Sequence, residues 1–388
     1  MTRTTSSTTK CLSAPKVGGS DSGFDSGSWT RREFLRGAAG VVALQSVTSA
    51  PAQFAYVASG AGTLHVFQVQ GELWTEIQRV PSLAPACLSL SADGQKLYVA
   101  NEVDEHGGVA RGRIETFAID SFSGRLRSAD ITPLSLSATR PRHMALSPDG
   151  TLLAVAAYGG GVYNLLAVNK DGCLGRPSGI FKDTGCGPCT PEQASAHPHT
   201  LAFDADGRHL LSSDFGGDRL NVFAVNDGKV RRRMHRSAGE GNGPGVFVLH
   251  PAGCCLYVWH GLEGALVVYR YHAGALGEPA QRIRLATRSG RAQGLAVNPS
   301  GRTLYTTQPA LTAWQMDPAD GLLTGRRKVL SDAATWIGAA GSGDSLFALD
   351  APEGLILRVV VNPATGEPDH PLAVARVIQP KSLAIRTA

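Results

Sequence analysis

Residues 141–155 read PRHMALSPDGTLLAV, two short β-prone runs separated by the turn sequence Ser147-Pro148-Asp149-Gly150. An Asp-Gly pair between two such runs is a strong signal for a β-hairpin. Similar turns recur along the chain and end at Gly94, Gly150, Gly207, Gly253, Gly301 and, more weakly, Gly343. The turns lie 42 to 57 residues apart, and each unit contains four short β-prone runs. This period predicts the four-stranded blades of a β-propeller.

Seven runs are predicted to be the first, innermost strand of a blade: 85–90, 141–146, 198–203, 244–249, 294–298, 336–340 and 381–385. The run 54–58 resembles a second strand with no first strand before it, and 381–385 resembles a first strand with no second strand after it. We therefore expect these two runs to pair. Their pairing would close an all-β, seven-bladed propeller of four-stranded antiparallel blades, because closure removes exposed sheet edges.

The first 52 residues differ from the rest of the chain. A leader rich in Ser, Thr and Gly precedes Thr30-Arg31-Arg32-Glu33-Phe34-Leu35-Arg36, which is followed by the short apolar run 37–44 and by Ala50-Pro51-Ala52. This order is typical of a twin-arginine export signal with a small-residue cleavage site. The sequence therefore predicts a signal segment at 1–52, a propeller at 53–388, a role for the export machinery as a partner, and a periplasmic or secreted location.

Charge excludes two classes of partner. The chain has 37 Lys and Arg against 32 Asp and Glu, and three of the five net positive charges belong to residues 1–52. A nearly neutral propeller gives no electrostatic basis for binding nucleic acid or an anionic membrane. The apolar run 37–44 is too short to span a bilayer. We expect a monomer that binds a small molecule, without nucleic acid and without stable membrane insertion.

The topology predicts where a ligand would bind. In each blade the start of the first strand and the end of the second lie at the same end of the sheet, so these positions ring one mouth of the central channel. The residues predicted to lie at this mouth are Asn101, Glu102, Arg142, His143, Tyr158, His197, His199, Asp214, Asp218, Arg219 and His260. Such a concave cluster of polar groups is typical of a ligand site.

Several of these motifs resemble those of a known family. The chain contains Ser195-Ala196-His197-Pro198-His199, DFGGDR at 214–219, AAYGGG at 156–161 and Asn101-Glu102. These motifs are similar to those of the seven-bladed propeller lactonases. That family includes bacterial 6-phosphogluconolactonases and fungal carboxy-cis,cis-muconate cycloisomerases. The resemblance implies a lactone as substrate and hydrolysis without a cofactor.

The chain departs from the family pattern at three places. Gly245 stands where the family has arginine in a Gly-Pro-Arg-His motif, Gly261 stands where it has glutamate, and Pro309 stands where it has a second arginine. Arg142, in a Pro-Arg-His motif of its own, and Glu102 are candidate substitutes. The loss of these side chains favours an alternative function, a non-catalytic exported propeller that binds a sugar, a peptide or a protein partner at the mouth.

Lactone hydrolysis requires a general base for water, a group that stabilises the oxyanion and a proton for the leaving alkoxide. His197 and His199 are the predicted acid/base residues, because an imidazole titrates near neutral pH. Arg142 is the predicted electrostatic stabiliser. The predicted substrate contacts are His143, Glu102, Asn101, Tyr158, Asp214, Asp218, Arg219 and His260. No metal is expected, since the two histidines have no identifiable third ligand.

The sequence Cys186-Gly187-Pro188-Cys189 lies in a loop rich in Gly and Pro, before the two histidines. The spacing matches thioredoxin-type redox motifs, but no helix of a βαβ unit follows it. In an oxidising compartment the sequence favours a local disulfide that restrains this loop. Export also favours an unphosphorylated sugar lactone over a phosphosugar.

Overall fold

The computed structural model describes residues 53–285, 294–308, 310–330, 336–339 and 343–386. The predicted export signal and Pro309 lie outside these residues. The described chain is built from β-strands, and none of its segments forms a helix long and apolar enough to cross a membrane.

The strands are numbered in chain order and group into seven blades. Blade 1 contains β1 (Gln53–Ser59), β2 (Thr63–Gln70), β3 (Leu73–Pro81) and, from the other end of the chain, β28 (Pro380–Arg386). Blade 2 contains β4 (Pro85–Leu90), β5 (Lys96–Asn101), β6 (Arg113–Ile119) and β7 (Leu126–Pro133). Blade 3 contains β8 (Pro141–Leu146), β9 (Leu152–Ala157), β10 (Val162–Val168) and β11 (Leu174–Lys182). Blade 4 contains β12 (Pro198–Phe203), β13 (His209–Asp214), β14 (Arg219–Asn226) and β15 (Lys229–Ser237).

The remaining blades follow the same plan. Blade 5 contains β16 (Pro244–Leu249), β17 (Cys255–His260), β18 (Ala265–His272) and β19 (Ala275–Arg284). Blade 6 contains β20 (Leu295–Val297), β21 (Thr303–Thr306), β22 (Leu311–Met316) and β23 (Leu323–Leu330). Blade 7 contains β24 (Trp336–Ala339), β25 (Ser345–Asp350), β26 (Leu355–Val361) and β27 (Pro368–Arg376). The prediction of seven four-stranded antiparallel blades is confirmed.

The two ends of the propeller meet in blade 1. β28 pairs antiparallel with β1, with Tyr56 opposite Ala384 and Val57 opposite Leu383. Both partners of the second pair are buried. The predicted closure of the ring by the C-terminal strand is therefore confirmed.

Turn chemistry explains why each blade begins with a hairpin. Gly150 has a φ of 72°, a conformation that costs a residue with a Cβ but not glycine. Asp149 Oδ1 accepts hydrogen bonds from the Ser147 hydroxyl at 2.5 Å and from the Thr151 N–H at 3.1 Å. The Ser-Pro-Asp-Gly sequence thus holds β8 and β9 in register through its own side chains.

The core lies between the blades. The second strands are buried on both faces, as in β13, where every residue is buried, whereas the outermost strands alternate between exposed and partly buried positions, as in β15. Between blades 2 and 3, for example, Tyr98, Met144 and Val155 belong to one apolar cluster. Because neighbouring blades bury each other's faces, the positions of the inner strands around the channel are fixed by packing on both sides.

Candidate active site

Five inner strands begin with a proline, and each then has one extra residue that has no partner in the second strand. In β12, Pro198 pairs with Asp214 and Thr200 pairs with Ser213, which leaves His199 as the extra residue. The same irregularity follows Pro85, Pro141, Pro244 and Pro380. A bulge of this kind takes a side chain out of the strand's alternation. The bulged residues are Lys381, Ala86, Arg142 and His199 on blades 1 to 4, and Gly245 is the equivalent residue of blade 5, where Val246 is unpaired as well.

A cluster around Tyr158 joins blades 3 and 4. Tyr158 follows the end of β9, and its ring stacks on His197 with centroids 4.4 Å apart and planes 6° from parallel. The His199 ring meets the Tyr158 ring edge-on at 6.3 Å. The Arg142 guanidinium carbon lies 5.0 Å from the centroid of the same ring. The structure therefore brings together the three residues predicted to be catalytic, and Tyr158 connects them.

The orientation of the His197 ring is fixed by the backbone. The ring Nδ1 lies 2.9 Å from the Tyr158 carbonyl oxygen. The backbone N–H of His197 donates to Asp214 Oδ1 at 2.7 Å. A carbonyl oxygen can only accept, so Nδ1 carries the proton and Nε2 of the neutral ring has the free lone pair. The ring is also partly exposed. These are the properties of an oriented general base.

His199 and His143 are held in the neutral state. Burial, followed by the charge of Arg142, lowers the pKa of His143 to about 4. The same two causes, with His143 as a further one, lower the pKa of His199 well below its ordinary value. His143 Nδ1 accepts the Leu201 N–H at 3.3 Å, so the proton of this ring is on Nε2.

Arg142 has no ion pair with any of the residues that the structure describes. Its neighbours His143 and His199 are neutral, and its contact with Tyr158 is to the ring face. The cluster therefore presents one cation that no carboxylate compensates.

Lys381 and Glu102 form the other charged part of the mouth. Lys381 Nζ lies 3.5 Å from Glu102 Oε2, and the Glu102 N–H donates to the Ala84 carbonyl at 2.8 Å. Burial raises the pKa of Tyr158, and the charges of Arg142 and Glu102 act on it in opposite directions, so Glu102 lies near the Tyr158 cluster. Sequence reasoning missed Lys381. Its position directly after Pro380, equivalent to Arg142 after Pro141, was the signal that could have found it.

Asn101 and His260 do not join this cluster. The Asn101 amide is fully buried and donates to Leu83 O at 2.8 Å, with Ser82 and Glu115 as further acceptors at 3.2 Å. His260 is also fully buried, with Glu263 at 3.3 Å from Nδ1 and the Tyr269 hydroxyl at 3.1 Å from Nε2. Both residues end a second strand, which is buried on both faces. Their side chains therefore hold strands together instead of facing the channel.

Asp214, Asp218 and Arg219 organise the loops beside the histidines. Asp218 accepts the N–H groups of Gly241 at 2.6 Å and Gly243 at 2.8 Å. Arg219 Nε donates to Asp214 Oδ2 at 3.2 Å, and Asp214 in turn accepts the His197 N–H. Asp214 therefore positions His197 through the backbone, while the other two stabilise neighbouring turns.

The position that carries arginine in the family pattern lies next to His199. A Cβ at Gly245 would be 3.8 Å from His199 Nε2, an ordinary van der Waals distance. A side chain at this position would therefore contact this imidazole, and the glycine supplies none. Gly261 donates its N–H to the Gly243 carbonyl at 2.8 Å and contributes only backbone.

Cys186 and Cys189 are both free thiols, and Cys186 is exposed. The predicted local disulfide is therefore not formed in this structure. Cys189 is held through its backbone, since its N–H donates to Gln193 Oε1 at 3.2 Å and its carbonyl accepts the Gln193 N–H at 2.6 Å.

Comparison with known proteins agrees with the fold. A family model described as "Lactonase, 7-bladed beta-propeller" matches residues 54–370. The 6-phosphogluconolactonase of Formosa agariphila is 25% identical over 315 residues, which cover 76% of this chain and 84% of that protein. The 6-phosphogluconolactonase of Bacillus subtilis is 24% identical over 57% of this chain and 62% of its own length.

Solved structures share the architecture. A putative 6-phosphogluconolactonase from Bacteroides fragilis superposes with a TM-score of 0.77 at 20% identity, over 88% of this chain and all of its own. The periplasmic gluconolactonase of Pseudomonas aeruginosa gives 0.75 at 22% identity, over 87% of this chain and all of its own. Since the family model spans most of the propeller, the chain belongs to the seven-bladed β-propeller lactonase family.

Proposed function

We propose that this protein opens a lactone by hydrolysis at the channel mouth, and that His197, Arg142 and His199 act on the reacting ester. The observation that carries the proposal is the Tyr158 cluster, in which an oriented imidazole and an uncompensated guanidinium contact the same ring. Membership of the lactonase family and relatives named 6-phosphogluconolactonase support the reaction type.

His197 is the general base in this mechanism. Its Nε2 takes a proton from water while the water oxygen attacks the carbonyl carbon of the lactone. The charge that develops on the carbonyl oxygen is stabilised by Arg142, the only cation of the cluster. The ring C–O bond of the intermediate then breaks, and the leaving alkoxide takes the proton back from His197. The product is the open hydroxy acid.

His199 supports this step as a neutral group. Its lowered pKa prevents it from adding a second positive charge beside Arg142. It therefore serves as a hydrogen-bonding partner of the substrate and is a poor source of a proton at neutral pH. His143, Glu102 and Tyr158 complete the wall of the proposed site, and Lys381 joins them through Glu102.

The charges favour an uncharged sugar lactone as substrate. Lys381 is compensated by Glu102, which leaves Arg142 as the cation available to the developing oxyanion among the described residues of the site. A phosphate dianion would need further donors, as phosphate sites usually combine several cations and N–H groups. We infer that gluconolactone-type substrates without phosphate react faster than their 6-phosphates.

The test is the rate of lactone opening above the spontaneous background, with gluconolactone and its 6-phosphate, for the wild type and three variants. We expect His197→Ala to lower kcat by about 100-fold or more and Arg142→Gln by a similar factor. His272→Ala, which removes an exposed imidazole at the end of β18, is the matched control and should keep the parent rate.

The glycine at position 245, where the family pattern has arginine, favours a second candidate function, a propeller that binds a sugar at its mouth without catalysis. The same experiment separates the two. If gluconolactone binds, as measured by calorimetry, but neither substrate opens faster than in buffer, the binding function replaces the enzymatic one. If His197→Ala opens the lactone as fast as its parent, the assigned base is wrong.

We further infer that residues 1–52 direct export by the twin-arginine route and that the propeller, 53–388, acts outside the cytoplasm. The order of Arg31-Arg32, the apolar run and the small-residue site supports this, and a structural neighbour is named a periplasmic gluconolactonase. Changing Arg31 and Arg32 to Lys should retain the protein in the cytoplasmic fraction. Continued export of that variant would contradict the assignment.

A further inference from the structure

The loop between β11 and β12 contains a pair of cysteines that the reaction does not use. We call residues 186–193 the cysteine loop. Cys186 is exposed and borders a cavity of about 420 Å³, whose wall also includes Asp218, Arg219 and His235. Cys189 is partly buried, three residues further along the chain. A dissolved oxidant can therefore reach the first thiol directly, and the second thiol belongs to the same short loop.

Three of the other four described cysteines lie in less reactive surroundings. Cys87 and Cys255 have a pKa raised to about 11 by burial, and burial also raises the pKa of Cys173. Because the thiolate is the reactive species, these three thiols are protected. Cys186 is also the only exposed cysteine among the described residues, so oxidation should begin at the cysteine loop.

The cysteine loop is connected to the histidines by a short chain of hydrogen bonds. Fully buried Gln193 accepts the Cys189 N–H and donates from Nε2 to the Phe215 carbonyl at 2.9 Å. The Phe215 N–H donates to the His197 carbonyl at 3.0 Å, and the Phe215 ring lies 6.2 Å from the His199 ring. A restraint on Cys189 therefore acts on the segment that enters the proposed site.

We propose that Cys186 and Cys189 form a reversible disulfide with a disulfide-bonded oxidant, and that this bond restrains the cysteine loop. The Cys186 thiolate attacks one sulfur of the oxidant, whose S–S bond breaks and whose other sulfur leaves as a thiolate. The Cys189 thiolate then attacks the Cys186 sulfur and displaces the second thiolate of the oxidant. The two cysteines lose two protons and two electrons, and the oxidant is reduced to two thiols.

The bond requires a small movement of the loop. A disulfide brings the two Cα atoms to about 4.4–6.8 Å, and a local cross-link restricts the conformations open to the segment between and beside the two residues. The glycine at 187, which packs against the Gln193 amide, and the following proline lie inside the closed ring. The restrained segment continues through Gln193 toward His197.

The test uses the full chain equilibrated with oxidised glutathione, then alkylated and digested with trypsin. Residues 183–208 form one tryptic peptide that contains Cys186 and Cys189 and no other cysteine. We expect this peptide to lose about 2 Da, to carry no alkyl label, and to regain both labels after reduction. Cys189→Ser should stop at a glutathione adduct on Cys186, and Cys173→Ser, on another blade, should behave as the parent.

Two results would overturn the proposal. One is a wild-type peptide in which both cysteines remain free or only a glutathione adduct accumulates. The other concerns the restraint: amide hydrogen exchange of residues 186–195 should be slower in the oxidised than in the reduced protein, and equal exchange would contradict it. Neither readout uses a lactone, so failure of the hydrolytic function would leave this test intact.

Discussion

The neutral state of His143 makes the stability of the propeller depend on pH, and the size of the effect follows from the site. The pKa of this imidazole falls from 6.5 to about 4 because the ring is desolvated and faces Arg142. Below about pH 6.5 the unfolded chain therefore binds a proton that the folded chain does not bind. Stability is lost as pH falls from about 6.5 toward 4, and no more is lost from this group below that point.

A shift of this size corresponds to about 2 kcal/mol of unfolding free energy lost between about pH 8 and pH 5. The ring is partly exposed, so solvent screening reduces the expected loss to about 1–2 kcal/mol. In His143→Gln this loss disappears, while the glutamine oxygen can still accept the Leu201 N–H. His199 and His260 have lowered pKa values and contribute with the same sign in both proteins.

The assay is thermal unfolding of wild type and His143→Gln at about pH 8 and pH 5. The wild type should lose about 2–5 °C more in Tm over this interval than the variant. His272→Gln, at an exposed position on β18, should follow the wild type. An equal fall of Tm in wild type and His143→Gln would show that this imidazole is not held neutral by burial and Arg142.

Three further changes test the fold and the site. Gly216→Ala should lower both Tm and kcat/KM, because the added Cβ would lie 1.8 Å from the Ser195 carbonyl oxygen and 2.9 Å from the His197 ring. Gly245→Ala is the control and should fold as the parent, since its Cβ would have its nearest contact at 3.7 Å. If both alanine variants have the same Tm and activity, the backbone contact at Gly216 does not position His197. Deleting residues 380–388 removes β28 and exposes the edge of β1, so we expect a protein that aggregates and does not unfold cooperatively. A truncated protein that is soluble and unfolds cooperatively would contradict closure by this strand. Asn101→Ala should lower the free energy of unfolding by about 1–3 kcal/mol, because Leu83 O and Glu115 lose a buried donor. Urea unfolding measures this loss, and an unchanged midpoint would show that the amide is dispensable.

The sequence predicted the architecture well because the fold repeats a local rule. Each blade reuses a turn that only a few residue types can form, and the seven predicted inner strands agree with β4, β8, β12, β16, β20, β24 and β28 to within two residues at either end. The predicted mouth followed from antiparallel pairing alone. The predicted export signal is different in kind, because recognition by another protein, and not the packing of this one, would decide it.

The site itself was harder to predict, for a physical reason that Asn101 and His260 illustrate. Both lie at the correct end of a strand, but a second strand has neighbours on both faces, so its polar side chains are used to satisfy buried groups. The orientation of an imidazole ring cannot be predicted from the sequence either. The assignment of His197 as base depends on a hydrogen bond to the Tyr158 carbonyl, which forms only because blades 3 and 4 place their loops in contact.

The residues at the start of five inner strands follow a rule that can be stated in terms of proline. Proline has no N–H to donate to the ladder, so it is accepted at the first residue of an inner strand, where pairing begins. Here a bulge follows it, and the next side chain is set apart from the strand's alternation. In this chain the rule selects Lys381, Ala86, Arg142, His199 and Gly245 on five consecutive blades. Of these five described residues only Lys381, Arg142 and His199 have an ionisable side chain, and they lie on blades 1, 3 and 4. A lactone bound there would meet the cation of Arg142 between the Lys381–Glu102 pair on one side and the two histidines of blade 4 on the other.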